Sequence, residues 1–261
     1  MQRLLVTGGC GYLGRELVRR APARGWEVRA TWFERPPWGG EADWVQADLR
    51  HTEASWRAVE GVDAVIHTAY RQGEGEWEVN VEGSAAVAEA ARDLRLVHLS
   101  TDLVFDGTRG RYREQDTPAP VSAYGRSKAE AERLVAELHP GATIVRTSLI
   151  YGGAEPGPQE RLAVEGTRFF VDEIRSPVQV GDLAEALLEV VAFELPGALH
   201  LGGADDLSRF DFAVLLGADP DRVERTHTTA DRAPNVSLDS SLAAGLLQTR
   251  LRGAYEVLSE R

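Results

Sequence analysis

The feature that most constrains the fold is a glycine-rich turn, the run T-G-G-C-G-Y-L-G that begins at Thr7. An apolar, β-branched run precedes this turn, and a helical pattern at Gly14–Arg20 follows it. Gly8, Gly11 and Gly14 allow a tight turn, a close approach of the backbone to a pyrophosphate, and close packing of the helix on the strand. The free N–H groups and the positive dipole end of such a helix attract phosphate. A strand, this turn and a helix in succession predict a dinucleotide-binding site.

The first half of the chain alternates short apolar runs with helical patterns. The runs predict strands at Arg3–Thr7, Glu27–Thr31, Trp44–Gln46, Ala64–His67, Leu96–Ser100 and Thr143–Thr147. The helical patterns lie at Gly14–Arg20, Val79–Asp93 and Ser122–Leu138. Strands separated by helices of this length imply a parallel sheet covered by helices on both faces. The sequence therefore predicts an α/β protein with a doubly wound parallel sheet.

The pattern changes after Tyr151. The sequence predicts a Gly- and Pro-rich loop at Gly152–Gln159, an amphipathic helix at Gly181–Phe193, a strand at Ala198–Leu201, a helix from Ser208 and a final helix near Thr249–Leu258. We expect a dinucleotide-binding domain formed by residues 1–151 and about 178–195. We expect a smaller, discontinuous C-terminal substrate lobe formed by residues about 152–177 and 196–261.

Composition limits the classes of partner and environment. With 261 residues, 43% of them hydrophobic and 27% charged, the chain has the composition of a soluble globular protein. No apolar run is long enough to span a membrane, and the first residues do not form a signal peptide, so we expect a cytoplasmic protein without a membrane partner. The net charge of −12 argues against a nucleic-acid partner. Cys10 is the single cysteine and the histidines lack ligand-like spacing, so we expect neither a disulfide nor a bound metal.

Lys128 is the single lysine among 29 basic residues, and it lies four positions after Tyr124 in the run Y-G-R-S-K. On a helix this spacing places both side chains on one face. A cation beside a phenol stabilises the phenolate and lowers the tyrosine pKa, which suits a general acid near neutral pH. The pair alone is more typical of an ordinary surface helix. The glycine turn and the strand pattern favour the catalytic interpretation.

Two charged positions bear on the choice of cofactor. NAD sites usually place an acidic residue at the end of the second strand, whereas here Glu34 and Arg35 follow the aromatic pair that ends it. Arg35 favours NADP, because it is placed to meet a 2′-phosphate, with NAD as the alternative. Pairing of Arg35 with Glu34 in a solvated loop is the competing interpretation. Asp48, after the third strand, is placed either to accept from the adenine amino group or to cap a helix.

A hydroxyl-bearing cluster ends the fifth predicted strand, in the run L-S-T-D-L-V-F-D-G that begins at Leu99. Ligands of open α/β sheets bind at the carboxyl edge of the strands. Thr101 is therefore placed to offer its hydroxyl to the substrate oxygen that Tyr124 protonates. Taken alone, such a Ser-Thr pair is more often a cap or a turn.

Several motifs together are similar to those of the extended short-chain dehydrogenase/reductases. They are T-G-G-x-G-x-L-G from Thr7, Asn80-Val81, S-T-D-x-V-F-D-G from Ser100, Y-G-R-S-K from Tyr124 and R-T-S-L-I-Y-G from Arg146. The run D-L-V-F-D-G, followed by Y-R-E-Q-D and P-A-P, resembles the dTDP-4-dehydrorhamnose reductase family in particular, and so does R-A-P-N-V-S-L-D-S-S at Arg232–Ser241. The resemblance covers nearly the whole chain.

The resemblance implies a Rossmann-type fold and an NAD(P)-dependent reductase of a 4-keto group on a nucleotide-activated deoxysugar, as in dTDP-rhamnose biosynthesis. It implies a catalytic triad of Thr101, Tyr124 and Lys128, with Tyr124 as the proton donor and Lys128 on the nicotinamide ribose. It implies that Asn80 helps to place Lys128 and that Thr147 and Ser148 border the nicotinamide. A homodimer is compatible with it.

The motifs and the resemblance together predict two sets of binding residues. Those for the cofactor are Gly8, Cys10, Gly11, Tyr12, Leu13, Gly14, Arg35, Asp48, Leu49, Thr68, Ala69, Tyr70, Asn80, Tyr124, Lys128 and Thr147. Those for the substrate are Thr101, Asp102, Leu149 and Arg175. Cys10 is expected to be a small residue facing the cofactor rather than a reactive thiol.

The chain departs from the family on the substrate side. Leu149 stands where family members often carry Trp, and residues 153–172 are shortened, although Arg175-Ser176-Pro177 matches an R-x-P turn of the family. Two alternatives therefore stay open: a non-catalytic regulator similar to the β subunit of methionine adenosyltransferase, and a nucleotide-sugar epimerase. A 4,6-dehydratase is disfavoured, because it would carry an Asp-Glu pair after Thr101.

Overall fold

The computed structural model describes residues 2–39 and 42–259. The strands are β1 (Gln2–Thr7), β2 (Trp26–Trp32), β3 (Asp43–Gln46), β4 (Ala64–His67), β5 (Arg95–Thr101), β6 (Thr143–Thr147), β7 (Ile150–Tyr151), β8 (Arg168–Phe170), β9 (Ile174–Arg175), β10 (Val178–Gln179), β11 (Gly197–Leu201), β12 (Leu207–Ser208) and β13 (Glu224–Thr226). The helices are α1 (Tyr12–Arg20), α2 (Thr52–Val59), α3 (Gly83–Ala90), α4 (Ala123–Leu138), α5 (Pro158–Glu165), α6 (Val180–Val190), α7 (Arg209–Leu215), α8 (Ser241–Leu246) and α9 (Ala254–Ser259).

A seven-stranded parallel sheet forms the centre of the fold, in the order β11-β6-β5-β4-β1-β2-β3. Strand β1 pairs in parallel with β2 on one side and with β4 on the other. The chain therefore leaves β1 toward one edge and later returns to build the other, so a topological switch point lies between β1 and β4. The glycine turn follows β1 at this point, where open α/β sheets bind their ligands. The predicted doubly wound parallel sheet is confirmed.

The chain divides into two compact units. The first comprises Met1–Ser100, Ser127–Val145 and Leu187–Ala198, and the second comprises Thr101–Arg126, Arg146–Ala186 and Leu199–Arg261. Residues 101–126 thus belong to the second unit, although the sequence pattern grouped them with the sheet. The reason is pairing with the distant C-terminal segment, because Tyr112 N donates to Ser237 O at 2.9 Å and Tyr112 forms a β-bridge with Leu238. The assignment of cofactor and substrate to separate domains stays a prediction.

Each unit has its own apolar core. In the first unit the buried side chains of Leu5, Val65, Leu96, Val135 and Ile144 belong to one cluster contributed by strands and helices. In the second unit, another cluster gathers Tyr151, Leu207, Phe212, Ala254 and Val257, with partly buried Leu149 packed against it. Burial of such side chains stabilises each by roughly 1.5–3 kcal/mol relative to exposure.

The sequence located the six strands of the first half to within a residue or two, but helix bounds differ more. The helix predicted at Val79–Asp93 begins as a π-helical turn at Glu78–Glu82 and ends with α3. The predicted loop Gly152–Gln159 runs into α5, where Pro at the first helical position is favourable and Glu160 accepts from Gly157 N at 3.0 Å. The helix α2 and the short strands β7–β10 were not predicted, because they lack a clear periodic pattern.

Candidate active site

The glycine turn has the backbone geometry that a pyrophosphate would require. Gly8 has a φ of +67°, and its N–H donates to Thr31 Oγ1 at 3.0 Å. Gly11 N donates to Gly8 O at 2.8 Å, which closes the turn immediately before α1. A Cβ at Gly8 would lie 3.0 Å from Ala69 Cα, and a Cβ at Gly14 would run into Gly8 O. Positions 8 and 14 therefore favour glycine, and the backbone of the turn fits the phosphates of a dinucleotide.

An open pocket of about 260 Å³ lies beside this turn, within the first unit. Nine of the residues predicted to bind the cofactor line it: Gly8, Cys10, Gly11, Arg35, Asp48, Leu49, Thr68, Ala69 and Tyr70. Tyr12, Leu13 and Gly14 lie on the first turn of α1, where Leu13 is buried and Gly14 serves helix packing. The pocket thus brings together residues that follow four different strands of the sheet.

Cys10 behaves as a small buried residue of this pocket. Its side chain is 8% exposed, and Sγ lies 3.6 Å from Pro36 O. Burial raises the pKa of the thiol, against the opposing influence of the Arg15 and Arg35 cations. A protonated thiol is a poor nucleophile, so the structure fits the expected packing role.

Two ion pairs border the pocket. Asp48 is held by Arg50, whose Nε and NH2 donate to its two carboxylate oxygens at 2.8 and 2.6 Å, and these hydrogen bonds lower the pKa of Asp48. The N-cap alternative for Asp48 is wrong, since α2 begins at Thr52 with His51 as its N-cap. The proposed Glu34–Arg35 pair is also not formed, because Arg71 NH2 donates to Glu34 Oε1 at 2.6 Å instead. Arg35 remains on the pocket wall.

A buried histidine that the sequence did not single out fixes the pocket wall after β4. Thr7 Oγ1 accepts from Thr68 N at 3.1 Å and from Ala69 N at 3.2 Å, while His67 Nδ1 lies 2.7 Å away. Because Thr7 Oγ1 already accepts two hydrogen bonds, its hydroxyl donates to His67 Nδ1. The ring proton of neutral His67 is then on Nε2, which donates to Ser84 Oγ at 3.1 Å. Burial, with a smaller contribution from Lys128, lowers the pKa of His67 to about 3, so this ring is neutral.

Lys128 is buried, with 2% of its surface exposed. Its Nζ donates to Leu99 O at 2.7 Å and lies 3.4 Å from His98 Nε2. Burial lowers the pKa of Lys128 to about 8, although the charge of Glu132 opposes the shift. His98 is itself neutral, because burial and then the Lys128 charge hold its pKa well below the ordinary value. Two acceptors thus fix the amine, and an ammonium has three protons, so one remains for a further partner.

Tyr124 and Asn80 were both predicted to act with this lysine. Tyr124 is half-buried in the first turn of α4, four residues before Lys128. Asn80 does not contact Lys128 directly, which refines the prediction. Its amide binds the backbone of Arg71 at 2.9 and 2.8 Å and donates to Ser127 Oγ at 3.0 Å, next to Lys128 in the chain. Asn80 therefore holds α4 and the segment after β4 together.

The remaining predicted residues lie in the second unit. Thr101 Oγ1 donates to Asp102 Oδ1 at 3.1 Å and accepts from Leu103 N at 3.3 Å. Asp102 and Arg175 are both buried and form a bidentate ion pair, so their charged groups contact each other and not solvent. Thr147 Oγ1 donates to Leu201 O at 2.7 Å. The sequence named Asp102 and Arg175 but did not foresee their pairing.

Among residues 2–39 and 42–259, no group of three or more His, Cys, Asp or Glu side chains is arranged to hold a metal ion. Within the same ranges, no helix combines the length and the apolar character that crossing a bilayer requires.

The parallel sheet, the switch-point pocket and the glycine turn define a Rossmann-type dinucleotide-binding protein. A family model described as "RmlD substrate binding domain" matches residues 1–252. The chain therefore belongs to this family of extended short-chain dehydrogenase/reductases.

Named relatives agree with this membership. The dTDP-4-dehydrorhamnose reductase of Mycolicibacterium smegmatis is 35% identical, over 99% of this chain and 84% of its own length. A probable dTDP-4,6-dihydroxy-2-methyloxan-3-one 4-ketoreductase of Streptomyces antibioticus is 35% identical, over 89% of this chain and 83% of its own. A solved structure, a hypothetical dTDP-4-dehydrorhamnose reductase from Sulfolobus tokodaii, matches with a TM-score of 0.83 at 28% identity, over 96% of this chain and 97% of that one.

Replacing Gly8 by alanine should weaken dinucleotide binding. The new Cβ would crowd Ala69 at the pocket wall, and the φ of +67° would strain any side chain. Gly25→Ala is the matched control, because Gly25 has a φ of +84° but open space around it. Both variants should lose about 1 kcal/mol of folding stability. Titration with NADPH should show a Kd raised by about tenfold or more in Gly8→Ala alone. Equal affinities in the two variants would contradict the placement of the phosphates at this turn.

The buried amine of Lys128 should make stability depend on pH. Its pKa is about 8 in the folded protein and near 10.5 in an unfolded chain, so the unfolded chain binds more protons between these values. The stability of the wild type should therefore rise relative to Lys128→Met between pH 7 and pH 10.5, by about 3 kcal/mol. Urea unfolding of both proteins across this range measures the difference. A difference that stays constant with pH would show that the amine is not buried in this way.

Proposed function

We propose that the protein is an NAD(P)H-dependent reductase of the 4-keto group of a nucleotide-activated deoxysugar. The observation that carries the proposal is the anchoring of Lys128. The single lysine of the chain is buried on the helix of Tyr124 and fixed by Leu99 O, with a donor to spare. A lysine that served only as a surface charge would be expected in solvent.

The chain's residues fit a nicotinamide dinucleotide. The turn at Gly8 and Gly11 offers backbone to the pyrophosphate, and the pocket wall at Asp48 and Leu49 faces the adenine end. A bound reduced cofactor would supply the hydride. This chain's own part is to bind the cofactor, to hold the sugar ketone in position and to provide the proton.

Three side chains have distinct roles in this proposal. Tyr124 gives its phenolic proton to the substrate oxygen as the carbonyl is reduced. Lys128, whose pKa is about 8, stabilises the phenolate that remains. Its third N–H binds the nicotinamide ribose. Thr101 donates a hydrogen bond to the same substrate oxygen, where negative charge develops.

The relatives support the class of substrate. The names of proteins 35% identical to this chain include a dTDP-4-dehydrorhamnose reductase, a 4-ketoreductase and a dTDP-4-keto-6-deoxy-D-glucose reductase. The shared chemistry of these names is reduction of a 4-keto group on a dTDP-linked sugar. Leu149 is partly buried and packs against the apolar cluster of Tyr151 and Phe212.

The test of the proposal is consumption of reduced cofactor with a dTDP-4-keto-6-deoxy sugar, with NADPH and NADH measured in parallel. Oxidation that depends on the sugar supports the reductase. Binding of the cofactor without consumption would contradict it and favour the non-catalytic regulator. Conversion of the sugar without net consumption would favour the epimerase.

Tyr124→Phe should abolish turnover while leaving the Kd for NADPH nearly unchanged. The substitution removes the phenolic proton and keeps the ring, so kcat should fall by about 100-fold or more. Tyr255→Phe is the matched control, because Tyr255 is exposed on α9 and is not among the predicted site residues. Turnover that survives in Tyr124→Phe would remove this residue from the mechanism.

Arg35→Ala should weaken NADPH much more than NADH, because Arg35 lines the pocket where a 2′-phosphate would lie. Loss of one charge-assisted contact to phosphate should raise the Kd for NADPH by about tenfold. Arg57→Ala, an exposed position on α2 outside the pocket lining, should change neither affinity. Equal losses for both cofactors in Arg35→Ala would assign Arg35 a structural role.

A further inference from the structure

A fully buried carboxylate lies beside the threonine that the proposed reaction uses. Asp102 is 0% exposed, and its Oδ1 accepts a hydrogen bond from the Thr101 hydroxyl at 3.1 Å. Its other oxygen accepts from Ser148 Oγ at 2.6 Å and from Arg175 Nε at 2.6 Å, and Arg175 NH2 donates to Oδ1. An ionised carboxylate offers about four acceptor sites, so these four donors fill it.

This arrangement presents an electrostatic problem for ketone reduction. Negative charge develops on the substrate oxygen during hydride transfer, and Thr101 would donate to that oxygen. An uncompensated carboxylate one hydrogen bond behind Thr101 would repel the developing charge, most strongly in a site with little water. It would also compete with the substrate for the single hydroxyl proton of Thr101.

Arg175 supplies the compensating charge, and its own surroundings hold it in place. It is 5% exposed, and NH1 lies 3.5 Å from Glu173 Oε1. Glu173 is occupied on its other oxygen by Arg232, whose Nε and NH2 donate at 2.8 and 2.6 Å. The charges of Asp102 and Glu173 raise the pKa of Arg175, although burial opposes the shift, so the guanidinium stays charged.

We propose that Arg175 is a positioning residue that neutralises Asp102, so that Thr101 can turn its hydroxyl proton from the carboxylate to the substrate oxygen. The inference rests on the proposed reductase function and deepens it. When Thr101 turns, Asp102 keeps three donors, two from Arg175 and one from Ser148. The hydroxyl of a Thr101 beside an unpaired carboxylate would stay directed at Asp102.

The covalent step itself is unchanged by this role. A bound reduced nicotinamide would supply the hydride for the new C–H bond as the carbonyl π bond breaks, and the substrate oxygen would take the proton of Tyr124. The two electrons that reduce the ketone would come from the nicotinamide, which would leave oxidised. Thr101 donates a hydrogen bond without losing its proton, and neither Asp102 nor Arg175 changes its charge.

The test compares Arg175→Gln, Arg175→Lys and the double variant Asp102→Asn/Arg175→Gln with the wild type. Arg175→Gln leaves the carboxylate unpaired, so kcat should fall by about 100-fold, the size expected from losing a transition-state contact. Arg175→Lys keeps the charge and should retain more activity. The double variant removes both charges and should recover kcat to within about tenfold of the wild type, a coupling that a purely structural role would not produce.

A second readout does not depend on turnover. Asp102 is hydrogen-bonded to the neutral hydroxyls of Thr101 and Ser148. The charged groups near it are those of Glu173, Arg175, Arg209 and Arg232. In Arg175→Gln, the protonated form of a buried Asp102 becomes favoured, so this variant should gain thermal stability relative to the double variant as the pH falls. Its kcat should rise in the same direction, whereas the double variant should show neither trend.

Arg252→Gln is the matched control, because Arg252 makes a bidentate pair with Asp182 elsewhere in the second unit. It should lose stability without a comparable loss of kcat. Wild-type turnover with no recovery in the double variant would overturn this inference alone. Absence of wild-type turnover would overturn the proposed function, and with it the role of Arg175.

Discussion

A buried amine needs acceptors, and this constraint organises the first unit. Lys128 finds them at the carboxyl end of β5, where Leu99 offers its carbonyl oxygen and His98 its ring nitrogen. His98 in turn packs against His67 with ring centroids 5.3 Å apart, and His67 reaches Thr7 at the entrance of the glycine turn. Both rings are neutral because they are buried beside a cation. Hydrogen bonds at each end and the packed pair of rings between them therefore link the lysine to the pocket wall.

The second unit solves the problem of buried charge in a different way. Its carboxylates at Asp102 and Glu173 form ion pairs with Arg175 and Arg232, and Arg209 lies close to the same groups. Removing one partner of a buried pair is costly, since it leaves a charge without compensation. Arginine suits this position because its planar fork binds both oxygens of a carboxylate. Thr101 and Ser148 are hydrogen-bonded to this cluster and take their orientation from it.

The sequence predicted what local patterns encode and missed what depends on distant pairing. The strands, the glycine turn and the Tyr124–Lys128 spacing follow from residues close in the chain. The partnership of Asp102 with Arg175 joins positions 73 residues apart, and that of Thr7 with His67 joins positions 60 apart. The role of His98 was not predicted for the same reason. A strand pattern does not indicate that the ring of His98 will contact the amine of a lysine 30 residues later in the chain. The alternative role of Asp48 as a helix cap is wrong because α2 begins at Thr52, and the Asp48 carboxylate is bound by Arg50 instead.

Direct transfer of hydride to the sugar is the central claim, and isotope transfer tests it most directly. The protein would be supplied with a dTDP-4-keto-6-deoxy sugar and NADPH that carries deuterium at the reactive C4 position. The account predicts a product sugar with deuterium bonded to its own C4, located by NMR. Product without deuterium, or with deuterium at another carbon, would contradict it.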